Sequence, residues 1–189
     1  MKKIYFASSN LNKFTELKEQ LEGVCELLMP TKQLTVDEDG QTFQENAYKK
    51  AKAYFDHFQK PVIADDSGLC VHSLPNLLGV HSARFEPELN YPQKCQALIN
   101  LMQGQEDRSA SFVCVLCYYA SESSHFFFEG KLLGQIGQQI AGDGGFGYDP
   151  VFYPDQGDST RSLAQQVEWK QAHSHRALAT AQLRQFLTH

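Results

Sequence analysis

Residues 4–13 read Ile4-Tyr5-Phe6-Ala7-Ser8-Ser9-Asn10-Leu11-Asn12-Lys13, and they place a short apolar run directly before a polar one. The apolar run is typical of a buried strand. After the polar residues, Phe14, Leu17 and Leu21 recur at helical spacing, which predicts a helix. Strand, polar loop and helix in this order form the unit with which α/β proteins bind phosphates, because backbone N–H groups at the helix N-terminus face the loop. The stretch therefore predicts an α/β fold.

The rest of the chain alternates predicted strands and helices in the same way. Thr42-Phe43-Gln44-Glu45 matches a capping box and opens a helix whose apolar stripe ends at Phe58. Further predicted elements are a strand at 25–29, strands at 61–64 and 69–74 separated by a turn at 65–68, a helix from Pro92 to Gly104, a hairpin of strands 109–120 and 125–136 around a turn at 121–124, and a last helix at 174–187. No repeat and no linker interrupts this series, so a single domain is expected.

Composition and charge exclude several classes of protein. The chain has 189 residues, 42% of them hydrophobic, and 17 Lys and Arg against 22 Asp and Glu give a net charge of −5. This balance is typical of a globular protein and argues against a general nucleic-acid coat. The uncharged and largely apolar run 109–121 is shorter than the about 18–20 apolar residues of a transmembrane helix. The apolar residues 4–7 are too few for a secretory signal, so a cytosolic protein with its five cysteines as buried thiols is expected.

The polar loop 8–13 is the first candidate site. Its hydroxyl groups, its Asn amides, the backbone N–H groups of the following helix and Lys13 together favour a phosphate anion. The alternative is an ordinary turn in which Ser or Asn caps the helix. Both interpretations stay open on the residues alone.

A second candidate site consists of carboxylates in two segments, first Asp37, Glu38 and Asp39, and then Asp65 and Asp66. Mg²⁺ is typically held by one or two carboxylates, waters and substrate phosphates, so this set suffices without histidine or cysteine ligands. Adjacent carboxylates repel each other, and a cation beside Asp65 and Asp66 would relieve that repulsion. The alternatives are a solvated acidic turn at 37–39 and plain turn chemistry at 65–68.

A third candidate site is the glycine-rich segment 142–150. It contains four glycines, whose backbone can approach a ligand closely, and the rings of Phe146 and Tyr148, which offer flat faces to a nucleobase. The segment matches neither the P-loop nor the dinucleotide fingerprint. The alternative is a glycine-rich bend whose aromatic residues fill the core.

Cations gather near the start of the last helix, where Lys170 precedes His175 and Arg176. Positive charge at a helix N-terminus opposes the helix dipole, so this cluster indicates a nearby anion. A surface turn is the alternative. The sequence has no zinc-protease motif, no nucleophile elbow and no Cys/His metal spacing, which argues against zinc and acyl-enzyme chemistry.

Six segments follow one another along the chain: Ser8-Ser9-Asn10-Leu11-Asn12-Lys13, Gly40-Gln41-Thr42-Phe43-Gln44-Glu45-Asn46-Ala47, Ala64-Asp65-Asp66-Ser67-Gly68-Leu69, Gly79-Val80-His81-Ser82-Ala83-Arg84, Gly144-Gly145-Phe146-Gly147-Tyr148-Asp149-Pro150 and Ser174-His175-Arg176. Together and in this order they strongly resemble the inosine triphosphate pyrophosphatase family, also called XTP/dITP diphosphatases. Each segment alone is weak, but six in register over nearly the whole chain are specific.

The resemblance implies an α/β fold of two lobes, with three α/β/α layers around a long mixed β-sheet. Residues 1–189 would form one domain with the active-site cleft between its lobes. The implied activity is Mg²⁺-dependent hydrolysis of nonstandard purine nucleoside triphosphates (ITP, dITP, XTP) to the monophosphate and pyrophosphate. The expected partners are the nucleotide and a second copy of the chain in a homodimer, with no nucleic acid and no membrane.

The resemblance also assigns roles to single residues. Asp66 is expected to be the general base and a metal ligand, and Lys13 the second catalytic residue. The metal ligand of the acidic loop falls at Asp37 or Glu38. The chemistry of the bases, rather than the resemblance, makes Arg176, and then His175, the candidate donors to the C6 oxygen of hypoxanthine and xanthine. The full set expected to bind substrate is Ser8, Ser9, Asn10, Leu11, Asn12, Lys13, Ser67, Phe146, Gly147, Tyr148, Asp149, Lys170, His175 and Arg176.

Two other functions stay open. Asn12 stands where the family usually has a Gly before Lys13, and the alignment of the acidic loop is ambiguous, so one alternative is a nucleotide-binding module without turnover. The other is a related pyrophosphatase that prefers modified pyrimidine nucleotides, as the Maf-like proteins do. Pyrophosphate release across a panel of nucleotides, with and without Mg²⁺, separates the three.

Overall fold

The computed structural model describes all residues 1–189 and contains six strands and five α-helices. The strands are β1 (Lys2–Phe6), β2 (Cys25–Leu28), β3 (Val62–Val71), β4 (Ser109–Ser121), β5 (Ser124–Ile136) and β6 (Phe152–Pro154). The helices are α1 (Leu11–Gln20), α2 (Phe43–Phe58), α3 (Tyr91–Leu101), α4 (Val167–His173) and α5 (His175–Thr188). Short 3₁₀ helices span Gly79–Arg84, Asp149–Val151 and Leu163–Gln165. None of the helices combines the length and the hydropathy that crossing a bilayer needs.

All six strands belong to one mixed sheet with the order β2-β1-β3-β4-β5-β6. β1 pairs in parallel with β2, where Ile4 lies opposite Leu27, and in parallel with β3, where Phe6 lies opposite Ile63. β5 pairs with β6 in antiparallel orientation. Helices α1 and α2 supply the crossover connections that parallel neighbours require. The predicted α/β class and the predicted hairpin of β4 and β5 are confirmed.

Contacts divide the chain into two compact units, of which the first comprises 1–67, 114–130 and 175–189 and the second comprises 68–113 and 131–174. In the first unit, apolar residues of β1, α1, β3, β4 and α5 form one buried cluster that includes Leu17. In the second unit, a separate cluster includes Leu98 of α3. Each unit therefore has a hydrophobic core of its own.

Strand β3 differs from the prediction. The sequence predicts a turn at 65–68, but the strand runs without a break from Val62 to Val71. Asp65 and Asp66 are therefore adjacent in a strand, and their side chains point to opposite faces of the sheet. Residues 65–68 form a strand despite their turn propensity, because each carboxylate is buried against cations from other elements. Each carboxylate is hydrogen-bonded to cations of its own, and these bonds relieve the repulsion between the two acids without one cation that bridges them.

The helix starts follow their predicted caps with one difference. Thr42 Oγ1 accepts a hydrogen bond from the backbone N–H of Glu45 at 3.1 Å, as the capping box predicts. The Glu45 carboxylate, however, reaches one residue further back and accepts from the N–H of Gln41 at 2.7 Å. Helix α3 begins with a complete capping box between Asn90 and Gln93. The first turn of α2 is thus bonded to the loop that precedes it.

Candidate active site

Asp65 lies at the centre of a buried charge cluster in the first unit. It accepts hydrogen bonds from Lys13 Nζ at 2.5 Å, Arg176 Nε at 2.7 Å, Ser67 Oγ at 2.9 Å and the thiol of Cys114 at 3.3 Å. Burial raises the pKa of this carboxyl, but Arg176 and Lys13 outweigh burial and hold the pKa well below its ordinary value. Asp65 is therefore ionised at neutral pH, and both of its oxygens are engaged.

The guanidinium of Arg176 joins α5 to α1 and to β3. It is 1% exposed, and besides Asp65 it donates through Nη1 to Glu16 at 2.6 Å and through Nη2 to Ser67 Oγ at 3.0 Å. The cations at the start of α5 predict a nearby anion, and Asp65 and Glu16 are the anions found there. Nε, Nη1 and Nη2 each make one of these bonds within the first unit, and the expected role of Arg176 as a donor to the base stays a prediction.

Asp66 faces the other side of the sheet, towards α2. Its Oδ1 accepts from Lys50 Nζ at 3.0 Å, and the same ammonium donates to Glu38 Oε2 at 2.6 Å. Its Oδ2 is buried and has no hydrogen-bond partner. Burial, with a contribution from Glu38, raises the pKa of Asp66 to about 6, although Lys50 opposes the shift. A carboxyl with one unoccupied oxygen and this pKa is suited to accept a proton.

Glu38, and not Asp37, is the residue of the acidic loop that the structure brings towards Asp66. Burial opposes ionisation of Glu38, but Lys50 outweighs it and lowers the pKa of this carboxyl. The Asp37 side chain is exposed to solvent. No group of three or more His, Cys, Asp or Glu side chains is arranged to hold a metal ion. Two carboxylates, Asp66 and Glu38, nevertheless suffice for Mg²⁺ that also binds phosphates, and the unpaired Oδ2 of Asp66 fits such a ligand.

The polar loop 8–13 is organised as a helix cap. Asn10 Oδ1 accepts from the backbone N–H groups of Asn12 at 3.0 Å and Lys13 at 3.2 Å, and Ser8 Oγ accepts from the N–H of Asn10 at 3.1 Å. The capping alternative is therefore realised. The side chains of Ser9, Leu11 and Asn12 are exposed around the start of α1. Phosphate binding by this loop stays a prediction.

In the second unit, Asp149 organises the glycine-rich segment. It is 2% exposed and accepts from the backbone N–H of Phe146 at 2.8 Å and from Lys170 Nζ at 2.7 Å. The Lys170 ammonium also lies over the Phe146 ring, 4.3 Å from its centroid. Gly145 has φ +68°, and a Cβ there would lie 2.1 Å from Asp149 Oδ2, so only glycine fits. These contacts hold the half-buried Phe146 ring in one orientation.

Tyr148 occupies a position that differs from the expected stacking role. Its side chain is 3% exposed, its hydroxyl donates to the carbonyl oxygen of Ser82 at 2.8 Å, and its ring meets the ring of Tyr91 edge-on at 5.5 Å. A ring buried in this way offers no face to a base and fills the core, as the alternative interpretation of this segment holds. Phe146 is the aromatic residue of the segment that stays partly exposed.

The cationic cluster predicted at 170–176 is divided between the units. Lys170 belongs to the second unit, where it pairs with Asp149. His175 and Arg176 belong to the first, and His175 is 5% exposed at the start of α5.

Sequence reasoning missed Lys50 and Glu16. Lys50 lies off the apolar stripe of α2, which is the position of an ordinary solvated lysine, yet its ammonium contacts both Glu38 and Asp66. Glu16 lies one turn after Lys13 on α1 and meets Arg176. Charge balance is the signal that points to such residues, because adjacent acids in an apolar strand need nearby cations.

Known proteins are similar to this chain over nearly its whole length. The family model described as the Ham1 family matches residues 4–186. A dITP/XTP pyrophosphatase of Aquifex aeolicus is 39% identical over 188 residues, 93% of each chain, and one of Porphyromonas gingivalis is 39% identical over 193 residues, 99% of this chain and 98% of the other. The Ham1 protein structure from Staphylococcus aureus has a TM-score of 0.88 at 34% identity and covers 99% of this chain and 98% of that one. A HAM1 protein from Coxiella burnetii has a TM-score of 0.87 at 32% identity and covers 100% and 99%.

These likenesses confirm the resemblance that the six sequence segments carry. The match includes the strand of Asp65 and Asp66, the acidic loop and the glycine-rich segment. The chain belongs to the Ham1 family.

Proposed function

We propose that this protein is a nucleoside triphosphate pyrophosphatase that hydrolyses the nonstandard purine nucleotides ITP, dITP and XTP to the monophosphate and pyrophosphate. Two relatives that bear the name dITP/XTP pyrophosphatase, each 39% identical over nearly the whole chain, support the reaction and the substrate class. The observation in this chain that carries the proposal is the buried carboxyl of Asp66, with one unpaired oxygen and a pKa raised to about 6.

Asp66 is the general base of the proposed reaction. Its Oδ2, which has no hydrogen-bond partner in the chain, accepts a proton from the water that attacks the α-phosphorus. Lys50 holds Oδ1 and thereby keeps the carboxylate in one orientation. The bond from the α-phosphorus to the bridging oxygen breaks, and pyrophosphate leaves.

Mg²⁺ is the proposed cofactor, with Asp66 and Glu38 as its protein ligands. When bound, it neutralises charge on the phosphates and makes water more acidic. Lys50 contacts both carboxylates, so the two proposed ligands already lie around one positive charge. Asp37 is not part of the proposed ligand set.

The triphosphate is proposed to bind at loop 8–13 and Lys13. A Lys ammonium has three N–H donors, and the side chain of Lys13 is 17% exposed, so it can bond to Asp65 and to a phosphate oxygen at once. The N-terminus of α1 adds the positive end of the helix dipole. Arg176 supports this arrangement through its hydrogen bond to Asp65.

Within the second unit, Phe146 is the residue proposed to stack on a base. Phe146 presents its ring there, and Asp149 and Lys170 hold that ring in place. Stacking alone tolerates any base, so the preference for hypoxanthine and xanthine requires hydrogen bonds to their C6 oxygen.

A panel of nucleotides tests the function. Pyrophosphate release is measured for ITP, XTP, ATP, GTP and pyrimidine triphosphates, with Mg²⁺ and after removal of divalent ions with EDTA. We expect ITP and XTP to be preferred and EDTA to abolish turnover. Preference for pyrimidine nucleotides would select the Maf-like alternative, and binding without release would select the module without turnover.

Lys13→Ala is expected to lower kcat/KM for ITP by about 100-fold, as loss of one donor to a developing oxyanion does. Because Asp65 keeps Arg176, the stability cost is limited to about 1–2 kcal/mol, or roughly 2–8 °C in Tm. Lys18→Ala, at an exposed position on the same helix, is the control and is expected to leave both quantities unchanged. A Lys13→Ala protein with wild-type kcat/KM would limit Lys13 to a structural role.

A homodimer in the cytosol is the last part of the proposal. All five cysteines are free, and four of them are buried, which suits a reducing compartment. Phe126 and Phe186 are 38% and 39% exposed and pack on each other at 4.4 Å, which gives the first unit an apolar surface. Light scattering is expected to give twice the 21.4 kDa of one chain, and a mass of one chain would contradict the dimer.

A further inference from the structure

The start of α2 holds the acidic loop by its backbone. The N–H of Gly40 donates to Asn46 Oδ1 at 2.8 Å, and the N–H of Gln41 donates to Glu45 Oε2 at 2.7 Å. Asn46 is 0% exposed, so the first of these bonds is shielded from water. The junction between loop and helix is therefore tied down by a buried hydrogen bond.

Gly40 approaches Asn46 so closely that no side chain fits at residue 40. A Cβ there would lie 2.6 Å from Asn46 Oδ1 and 2.8 Å from Glu45 Cβ. Gly40 is itself buried. Close packing of backbone against the Asn46 amide thus explains the glycine, and it makes this contact a fixed point of the loop.

Asn46 and Lys50 lie one turn apart on the same face of α2. Lys50 binds the carboxylate of Glu38, which is two residues before Gly40. The loop is therefore attached to α2 at its backbone, by Asn46 and Glu45, and at the side chains of Glu38 and Asp39, by Lys50 and Lys49. Among these, the buried Asn46 bond and the Lys50 bond restrict where the Glu38 carboxylate can lie relative to Asp66.

We propose that Asn46 is a positioning residue, whose buried amide oxygen sets the acidic loop so that Glu38 lies beside Lys50 and Asp66. Asn46 acts through Gly40 and touches no reacting atom. Its Nδ2 has no hydrogen-bond partner, so the oxygen is the atom that holds the loop. The consequence for catalysis rests on the proposed function, whereas the positioning is a property of the chain without ligands.

The test compares the wild type with Asn46→Ala and Asn46→Asp in the absence of nucleotide and metal. Mass spectrometry follows amide hydrogen exchange of residues 36–42 and acetylation of Lys50 by limiting acetic anhydride. Asn46→Ala is expected to accelerate both by about tenfold or more, because a buried hydrogen bond no longer opposes local opening. Asn46→Asp keeps the acceptor and is expected to restore both. With substrate, Asn46→Ala is expected to need more Mg²⁺ for half-maximal rate.

Two further variants separate positioning from general destabilisation. Gly40→Ala breaks the same contact from the loop side and is expected to behave as Asn46→Ala does. Tyr54→Phe removes the hydroxyl that accepts from the N–H of Leu34 at 2.9 Å, so it frees the preceding segment from α2 and is expected to leave Lys50 labelling unchanged.

Wild-type exchange and labelling in folded Asn46→Ala and Gly40→Ala proteins would overturn the proposal. If Asn46→Ala does not fold, Gly40→Ala decides the question. Since exchange and labelling use no substrate, a protein that hydrolyses none of the nucleotides would overturn the proposed function and leave this result standing.

Discussion

Asp66→Asn is expected to lower kcat/KM for ITP by about 10²–10⁴-fold, the contribution of a general base, while the protein stays folded. The amide oxygen can still accept from Lys50, but an amide cannot take a proton from water and is a poorer ligand for Mg²⁺. Because burial disfavours the charge of Asp66, removal of that charge is expected to keep Tm within about 3 °C of the wild type. Steady-state pyrophosphate release and a thermal melt measure the two effects.

Asp39→Asn is the matched control for this variant. Asp39 lies on the acidic loop next to Glu38 and pairs with Lys49, but its side chain is 76% exposed. The same chemical change there is expected to leave kcat/KM unchanged, since exposed ion pairs contribute little. Near-normal turnover in a folded Asp66→Asn protein would remove Asp66 from the role of base.

Arg176→Met is expected to cause the largest loss of stability, about 3–5 kcal/mol, because it removes the buried cation that pairs with both Asp65 and Glu16. For a chain of this length that corresponds to a fall in Tm of roughly 6–20 °C. Asp65 loses its bond to Nε, and Glu16 loses its bond to Nη1. Arg184→Met, an exposed change on the same helix, is expected to cost about 1 kcal/mol or less.

The pH dependence of this variant follows from Asp65. In the wild type the pKa of Asp65 is lowered, so its contribution to stability is present above the unfolded pKa of about 3.9 and is lost as pH falls through the folded value. Without Arg176, Lys13 alone opposes burial, so the pKa of Asp65 is expected to rise and protonation to remove charge that is no longer compensated. The difference in Tm between Arg176→Met and the wild type is therefore expected to narrow from pH 7 to pH 5.

Kinetics of the same variant decide between two roles for Arg176. Action through Asp65 predicts equal losses of kcat/KM for ITP and ATP. A loss of kcat/KM confined to ITP would show that Arg176 donates a hydrogen bond to the base.

Local order was predictable from the sequence because its causes are local. The Thr42 cap lies three residues from the N–H that it serves, and the polar turn between β4 and β5 lies between two apolar runs. The strand, loop and helix that begin the chain likewise appear in the predicted order, although α1 begins at Leu11, inside the predicted loop 8–13. The parallel pairing of β1 with β3 follows from crossover connections of helical length.

The buried polar contacts were not predictable in the same way, because their partners are distant in sequence. Lys13 and Asp65 are 52 residues apart, and Arg176 and Asp65 are 111 residues apart. A sequence pattern shows that a cation or an anion is present, but it does not show which cation pairs with which anion. The break predicted in β3 has the same origin, since turn propensity describes Asp65 and Asp66 in water and not against these cations.

The alternation of Asp65 and Asp66 on β3 has a consequence for how the chain folds. A shift of strand pairing by one residue moves every side chain to the opposite face. In β3 such a shift would put one acid in the place of the other and move the remaining acid one position along the strand, away from its own cations, at several kcal/mol for that buried ion. The two neighbouring acids thus make the slipped register of the sheet less stable, a cost that an all-apolar strand would not have.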